Sequence, residues 1–293
     1  MKKVTYLLYG FLFMVACQQV NKEKANASTP VKQHVLCERA DSLKFESVMA
    51  HFSDVSSMDM PQLVAEVGKQ FLAVPYVAQT LEHGEDEPLT IELEGLDCTT
   101  FAETALALAR TLKKPNPDFS QFAHELETIR YRNGKREGYT SRLHYFSDWI
   151  FDNQQKGIVS QPASNFGQAL DLTVNFMSTH PDSYPVLKAN PELVQTLAGQ
   201  EKAISGRSYY FIPKEEVEKQ EANLQEGDLV GLATSIAGLD VTHVGIVVVV
   251  NGRRHLMHAS TSAMQVVISE EPLADFLQAK KSYTGILVAR PLD

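Results

Sequence analysis

The feature that most restricts the fold is a strand pair with its turn written into the sequence. Val241 to Val250 is a run of β-branched residues interrupted only by His243 and Gly245, which is the composition of a strand. Asn251-Gly252 follows, the dipeptide favoured in two-residue hairpin turns because both positions need positive φ. Arg254 to Ser260 then returns as the partner strand. With the two turn residues unpaired, Val250 faces Arg253, Gly245 falls opposite His258 and His243 falls opposite Ser260. Side chains alternate along a strand, so His243, Gly245 and His258 share one face. The two histidines are diagonal neighbours, roughly 7–8 Å apart at the backbone, and Gly245 should leave the space between them open. Such a pair is either the solvated side of a sheet or a base with the group that orients it.

A nucleophile for that base comes from Leu93-Glu94-Gly95-Leu96-Asp97-Cys98-Thr99-Thr100-Phe101. Apolar residues at Phe101, Ala102, Ala105, Leu108, Ala109 and Leu112 follow helical spacing. Asp97 is the expected N-cap and puts Cys98 in the first turn. There the positive end of the helix favours a thiolate. The plainer reading is a small buried hydrophobe. A thiolate nucleophile needs an adjacent base, and that base needs a third group to hold its tautomer. Cys98, His243 and His258 supply these parts if the Cys98 helix packs across the sheet face that carries the histidines. A zinc site is the competing use of one Cys and two His. No C-x-x-C or H-E-x-x-H accompanies them, and His255 and His258 point to opposite faces, so neither metal nor cofactor is expected.

The N-terminus reads as an export signal. Lys2-Lys3 precedes the apolar run Tyr6 to Ala16, which ends at Cys17. The run is too short for a membrane span, and a cysteine after Val15-Ala16 resembles a bacterial lipoprotein signal. Residues 1–16 are therefore expected to be the signal, with Cys17 lipidated and first in the mature chain. Residues 17–40 are expected to be a polar tether, and residues 41–293 one catalytic domain. The resulting protein would be an exported lipoprotein held to a membrane of the bacterial envelope by its acyl chains. Cys37 lies in a polar segment without a packing pattern, so a disulfide with Cys98 is not expected. The net charge of −9, with no basic cluster in the body, argues against a nucleic-acid partner. A monomer is expected.

Between these motifs, Met60 to Leu72 and Phe119 to Ile129 read as helices, with Pro61 suited to a first turn. Leu89 to Leu93 reads as a strand leading into the Cys98 helix, Gly227 to Leu232 as another, and Gly285 to Arg290 as a closing strand. A mainly helical insertion spans about 115–205. Within it, Arg130 to Arg132 and Tyr139 to Trp149 are dense in Arg, Tyr and His and contain the single Trp. That segment either lines a site that binds a sugar or anion or is a polar helix with an aromatic inner face.

Taken together, Asp97-Cys98-Thr99-Thr100-Phe101, Gly227-Asp228-Leu229-Val230, Thr242-His243-Val244-Gly245-Ile246 and His258-Ala259-Ser260 resemble the NlpC/P60 superfamily of papain-like cell-wall cysteine peptidases and amidases. D-C-T-T in place of D-C-S-G departs from its mainstream members. Pro75-Tyr76-Val77, Ile129 to Arg132, Ser141 to Trp149 and Gly238 to Gly245 resemble a narrower branch, the DUF1460 family of amidase-like proteins. The resemblance runs from about Asp59 to Arg290. It implies an α+β, papain-like fold with the nucleophile helix on a central antiparallel sheet. It also implies a Cys98–His243–His258 triad, with Tyr76 helping to bind the oxyanion. The implied reaction cuts the amide between N-acetylmuramic acid and L-alanine in muropeptides, in the 1,6-anhydro form, whereas most relatives cut between D-glutamate and the diamino acid. Arg142, His144, Tyr145 and Trp149 would then contact the sugar, and Asp97 and Thr99 the peptide.

Overall fold

The computed structural model describes residues 35–83 and 87–293. The export signal, Cys17 and most of the tether lie outside them. Residues 35–40, which the sequence assigns to the tether, belong to the fold: Val35–Leu36 forms strand β1 and helix α1 runs from Arg39 to His51. Helix α2 is Met60–Lys69, capped by Asp59 with Pro61 in its first turn. Strand β2 is only Leu89–Thr90 and pairs in parallel with β1. It stops short of the expected Leu93 because the Leu93 amide donates to the Asp41 carboxylate at 2.7 Å instead of to a strand. Helix α3, Cys98–Leu112, and helix α4, Phe119–Arg130, follow.

The insertion holds helix α5 (Phe146–Gln155), strand β3 (Val159–Ser160), helix α6 (Ala163–Phe166), strand β4 (Gln168–Leu170), helices α7 (Phe176–Thr179) and α8 (Pro185–Ala189), and the long helix α9 (Pro191–Ser205). After it come β5 (Tyr209–Pro213), α10 (Val217–Gln220), β6 (Leu229–Thr234), β7 (Val241–Val250), β8 (Arg253–Ser260), β9 (Gln265–Ile268), α11 (Leu273–Gln278) and β10 (Tyr283–Pro291). Eight of the strands make one sheet in the order β4-β5-β10-β6-β7-β8-β9, with β3 also on β10. Every pairing in it is antiparallel. The mixed α+β class with an antiparallel sheet is therefore as expected.

The β7–β8 register is the one the Asn-Gly turn dictates, running from Val250 opposite Arg253 to Ile246 opposite Met257. Asn251 and Gly252 take φ of 50° and 80°, the primed-turn geometry that matches strand twist. Each face of the sheet has its own core. On one, Phe101, Ala105 and Leu63 from α3 and α2 pack with Val244, Ile246, Met257 and Ala259. On the other, Leu273, Ala274 and Leu277 of α11 pack with Val230, Leu232, Val247 and Leu256. A third cluster, including Tyr139, Tyr145, Met177, Leu197 and Ile204, stabilises the insertion.

This layering corrects two expectations. Helix α3 does not cover the face of His243 and His258, whose parity is that of Val247 and Leu256; it covers the opposite face. The space beside Gly245 is not open either, since a Cβ there would lie 2.6 Å from Leu256 Cδ1 and 2.8 Å from the Met257 carbonyl oxygen. Helix α3 is also buried all round, from Thr100 to Ala109 without a break, because α2 and α4 flank it as the sheet supports it. Cys37 is half-buried against the main core rather than lying in a loose polar segment, and it forms no disulfide with Cys98.

Candidate active site

The site is assembled around the start of α3. Asp97 Oδ1 accepts the Thr100 amide at 2.7 Å, and the Thr100 hydroxyl accepts the Asp97 amide at 2.9 Å. This reciprocal cap starts the helix at Cys98 and leaves the amides of Cys98 and Thr99 without an acceptor one turn back. The Val244 amide, the Thr99 hydroxyl and the Cys98 amide all act on the sulfur in the direction that lowers its pKa. The Val244 contact follows from the sheet. The Val247 amide donates toward β6, to Asp228 O at 2.8 Å, so by alternation the Val244 amide points toward β8. The β7–β8 ladder has ended at Ile246 and Met257, so that amide is not paired within it. Cys98 is thus near the backbone of the histidine strand at Val244 although α3 covers the opposite face.

Burial, and then the Asp97 carboxylate, push the thiol up to about 11. The sequence led to the opposite expectation, a thiol lowered by the helix end. The carboxylate that caps the helix offsets the positive end it caps, and enclosure penalises the charged sulfur.

His243 Nε2 and His258 Nδ1 are 2.6 Å apart, with the rings perpendicular at 89°. One of the two nitrogens must donate. If His243 donates from Nε2, its Nδ1 is unprotonated and able to accept a proton; the reverse assignment puts the proton on Nδ1 and abolishes the base. Burial is the main influence that lowers both imidazoles, His243 to about 3 and His258 to about 4. The neighbouring His258 and then Lys280 add to the effect on His243, and Lys280 to that on His258.

Cys98 and His243 both line a cavity of about 370 Å³, as do Asp97, Thr99, Arg142, His144, Tyr145 and Trp149. The structure therefore brings every residue of the expected substrate set to one wall or another of a single cavity. Their local roles are more structural than their types suggest. Arg142 Nη2 is 2.7 Å from Glu82, Nε is 3.3 Å from Glu87, and the guanidinium lies over the Tyr139 ring. His144 Nε2 bonds the Tyr139 carbonyl at 2.9 Å, and burial, with Arg142 beside it, lowers its pKa to about 3. The Tyr145 hydroxyl donates to Glu201 at 2.7 Å and accepts the Met177 amide at 3.1 Å. Trp149 stacks on Phe146, centroid to centroid 5.5 Å. The cavity is thus walled by aromatic faces and neutral donors, with its cations already paired.

His258 and Tyr76 lie outside that lining. His258 is linked to the cavity by its bond to His243. Tyr76 is close enough to Cys98 and Asp97 for their charges, after burial, to raise its phenol. Its backbone is fixed by pairing with the loop before α3: Leu96 N–H donates to Pro75 O at 3.0 Å and Val77 N–H to Leu96 O at 3.1 Å.

Several lining residues escaped the sequence reading. Glu103 and Arg130 form an ion pair at 2.7 Å in which each side chain is only 3% exposed. Buried Asp240 accepts the Ser147 and Val241 amides, both at 2.7 Å, and so ties α5 to the start of β7. Arg130 and Asp240 sit inside motifs singled out above and Glu103 lies two residues beyond one, yet nothing local reveals their partners. Among the described residues, no group of three His, Cys, Asp or Glu side chains could hold a metal ion.

The family model described as N-acetylmuramoyl-L-alanine amidase-like (AmiA-like) matches residues 66–286. The chain belongs to this family. A solved N-acetylmuramoyl-L-alanine amidase from Bacteroides uniformis is 36% identical with a TM-score of 0.76, over 80% of this chain and 99% of that one. A Bacteroides fragilis structure carrying the provisional name of a xylanase is 40% identical with a TM-score of 0.73, over 76% and 98%. A DUF1460 protein from Legionella pneumophila, 20% identical with a TM-score of 0.64, covers 87% of this chain and 95% of its own and shares the fold. No curated protein matches the chain. The amidase-like family and its DUF1460 branch are those that the sequence motifs resemble.

Proposed function

We propose that this amidase-like protein is a papain-like cysteine amidase of the NlpC/P60 type. It hydrolyses the bond between N-acetylmuramic acid, in its 1,6-anhydro form, and L-alanine in peptidoglycan fragments. The observation that carries the reading is the 2.6 Å His243–His258 bond beside a cavity that His243 shares with Cys98. In the proposed reaction Cys98 Sγ attacks the lactyl carbonyl carbon as its proton passes to His243 Nδ1. His258 holds Nε2 and supports the imidazolium. The negative oxygen of the tetrahedral intermediate is met by the Cys98 amide and the Tyr76 hydroxyl. His243 then protonates the departing alanine nitrogen, leaving the muramoyl group on sulfur as a thioester. Water, deprotonated by His243, attacks that thioester and returns the thiol.

A glycosidase, the reaction suggested by the xylanase name, needs two carboxylates free to act as acid and as base or nucleophile. The lining carboxylates are committed elsewhere: Asp97 caps α3, Glu103 holds Arg130, Glu82 holds Arg142, and Asp240 holds two amides. A γ-D-glutamyl-diamino-acid endopeptidase would use the same triad, and product mass spectrometry on an anhydro-muropeptide distinguishes it. Intact stem peptide plus free anhydro-sugar is the expected result, lost in Cys98→Ala. Release of a shortened peptide, with the sugar still bearing L-Ala-D-Glu, would refute the amidase. We further propose that Cys17 carries the lipid anchor of an envelope protein, so labelled palmitate should enter the wild type and not Cys17→Ser.

A further inference from the structure

Beyond the triad, the histidine pair continues as a chain of rings. His258 meets Phe276 edge-on, with centroids 5.4 Å apart at 75°. Phe276 in turn lies parallel to Tyr283 at 6.4 Å and 18°, and Lys280 Nζ stands 5.3 Å over the Tyr283 ring. Phe276 is on α11, a short helix whose anchors, Leu273, Ala274 and Leu277, are buried in the core under the histidine face. Phe276 itself is only partly buried against that core, so it forms the outer layer over His258.

The geometry points to Phe276 as a positioning residue for the triad, resting on the catalytic reading above. A hydrogen bond at one nitrogen fixes a distance but leaves the ring free to rock about it. The edge-to-face contact with Phe276 limits that rocking and keeps Nδ1 of His258 aimed at Nε2 of His243. The same ring excludes water from His258, which keeps the imidazole neutral and therefore able to accept from His243. A protonated His258 would have a proton on Nδ1 and would repel the imidazolium that forms on His243. The charged group acting on His258 is Lys280 from the segment after α11, which disfavours a positive charge there; His258 and Lys280 in turn disfavour one on His243 of β7. Strand β9, paired to β8 on its other side, places Val267 opposite His258.

The test is Phe276→Ala, with Phe276→Leu as the variant that restores cover without the ring. Histidine ¹⁵N NMR on the full-length protein reads the titration of His258 and needs no substrate. Exposure should raise His258 from about 4 toward its ordinary range by about one unit or more in Phe276→Ala, and Phe276→Leu should stay near the wild type. On an anhydro-muropeptide, kcat of Phe276→Ala should fall about tenfold with KM changed less than twofold, and the acid limb of the rate profile should move to higher pH. An unmoved His258 titration together with an unmoved kcat in Phe276→Ala would overturn the proposal. If the alanine variant does not fold, Phe276→Val is read by the same two measures. Should the wild type cleave no muropeptide amide while the NMR shift appears, the reaction assignment fails and the positioning role stands.

Discussion

Asp97 performs two tasks that pull the chemistry of Cys98 in opposite directions, and substitution can separate them. As a cap it supplies the acceptor for the Thr100 amide and bonds the Thr100 hydroxyl at 2.9 Å, which makes Cys98 the first residue of α3. As a carboxylate it is second only to burial in holding the thiol up at about 11. Asp97→Asn keeps the cap, since Asn caps about as well as Asp, and deletes the charge. Asp97→Ala deletes both and should cost about 1 kcal/mol, within the 0.5–2 range for lost caps. In a domain of this size that corresponds to a fall in Tm of roughly 2–4 °C.

The reactivity should change in the other sense. Well below its pKa, a thiol gains about tenfold in thiolate for each unit its pKa falls. The thiolate loses nucleophilicity as it becomes less basic, so the net gain in alkylation rate is roughly threefold per unit. Iodoacetamide should therefore label Cys98 several-fold faster in Asp97→Asn than in the wild type at pH 7–8, with Tm almost unchanged. Asp97→Ala should combine faster labelling with the lower Tm. Equal labelling of Asp97→Asn and wild type would refute the claim that the cap charge restrains the thiol. Equal Tm for Asn and Ala would refute the cap.

The remaining predictions concern the strand and the imidazoles. Gly245→Ala would place a Cβ 2.8 Å from the Met257 carbonyl oxygen and 2.6 Å from Leu256, a clash with β8 backbone that should cost about 1–3 kcal/mol. It should reduce amide hydrolysis more than that loss explains, because β8 carries His258; activity measured well below the variant's Tm checks this. Both imidazoles are lowered from the usual 6.5, to about 3 and about 4. Stability from keeping them neutral is thus full above about pH 6.5 and is lost as pH falls toward those values. Urea unfolding at pH 7, 6 and 5 should show a declining midpoint, and the decline should be shallower in His243→Asn/His258→Asn.

Legibility in the sequence followed the range of the interactions. The Asp97 cap, the start of α3 at Cys98 and the β7–β8 register are set by residues within a few positions of one another, and all are where periodicity and turn chemistry put them. The side of the sheet taken by α3 is not local. It depends on Phe101, Ala105 and Ile246 sharing one core while Leu273 and Leu277 fill the other, and α11 has too short a pattern to announce itself. The insertion shows the same division. Arg142, Tyr145 and Trp149 could be picked as cavity residues from composition. That Arg142 is neutralised by Glu82, and that Tyr145 is tied to Glu201 at 2.7 Å, depends on partners about sixty residues away with no spacing signal.

The electrostatics change the way the cysteine is expected to act. Burial raises the Cys98 thiol and lowers the His243 imidazole, and both shifts favour the neutral forms over a thiolate–imidazolium pair. In the proposed mechanism the proton moves as the carbon–sulfur bond forms, when the developing charges on His243 and the substrate oxygen attract each other in an enclosed cavity. The Val244 amide and the start of α3 stabilise negative charge on sulfur, whereas Asp97 opposes it before substrate arrives. Oxidants and alkylating agents react with thiolates, so in the proposed mechanism a Cys98 held as the thiol is slow toward them and acts on a carbonyl held beside His243. For a protein proposed to work outside the cytoplasm, that restraint preserves the nucleophile, and the faster labelling expected of Asp97→Asn is the same restraint removed.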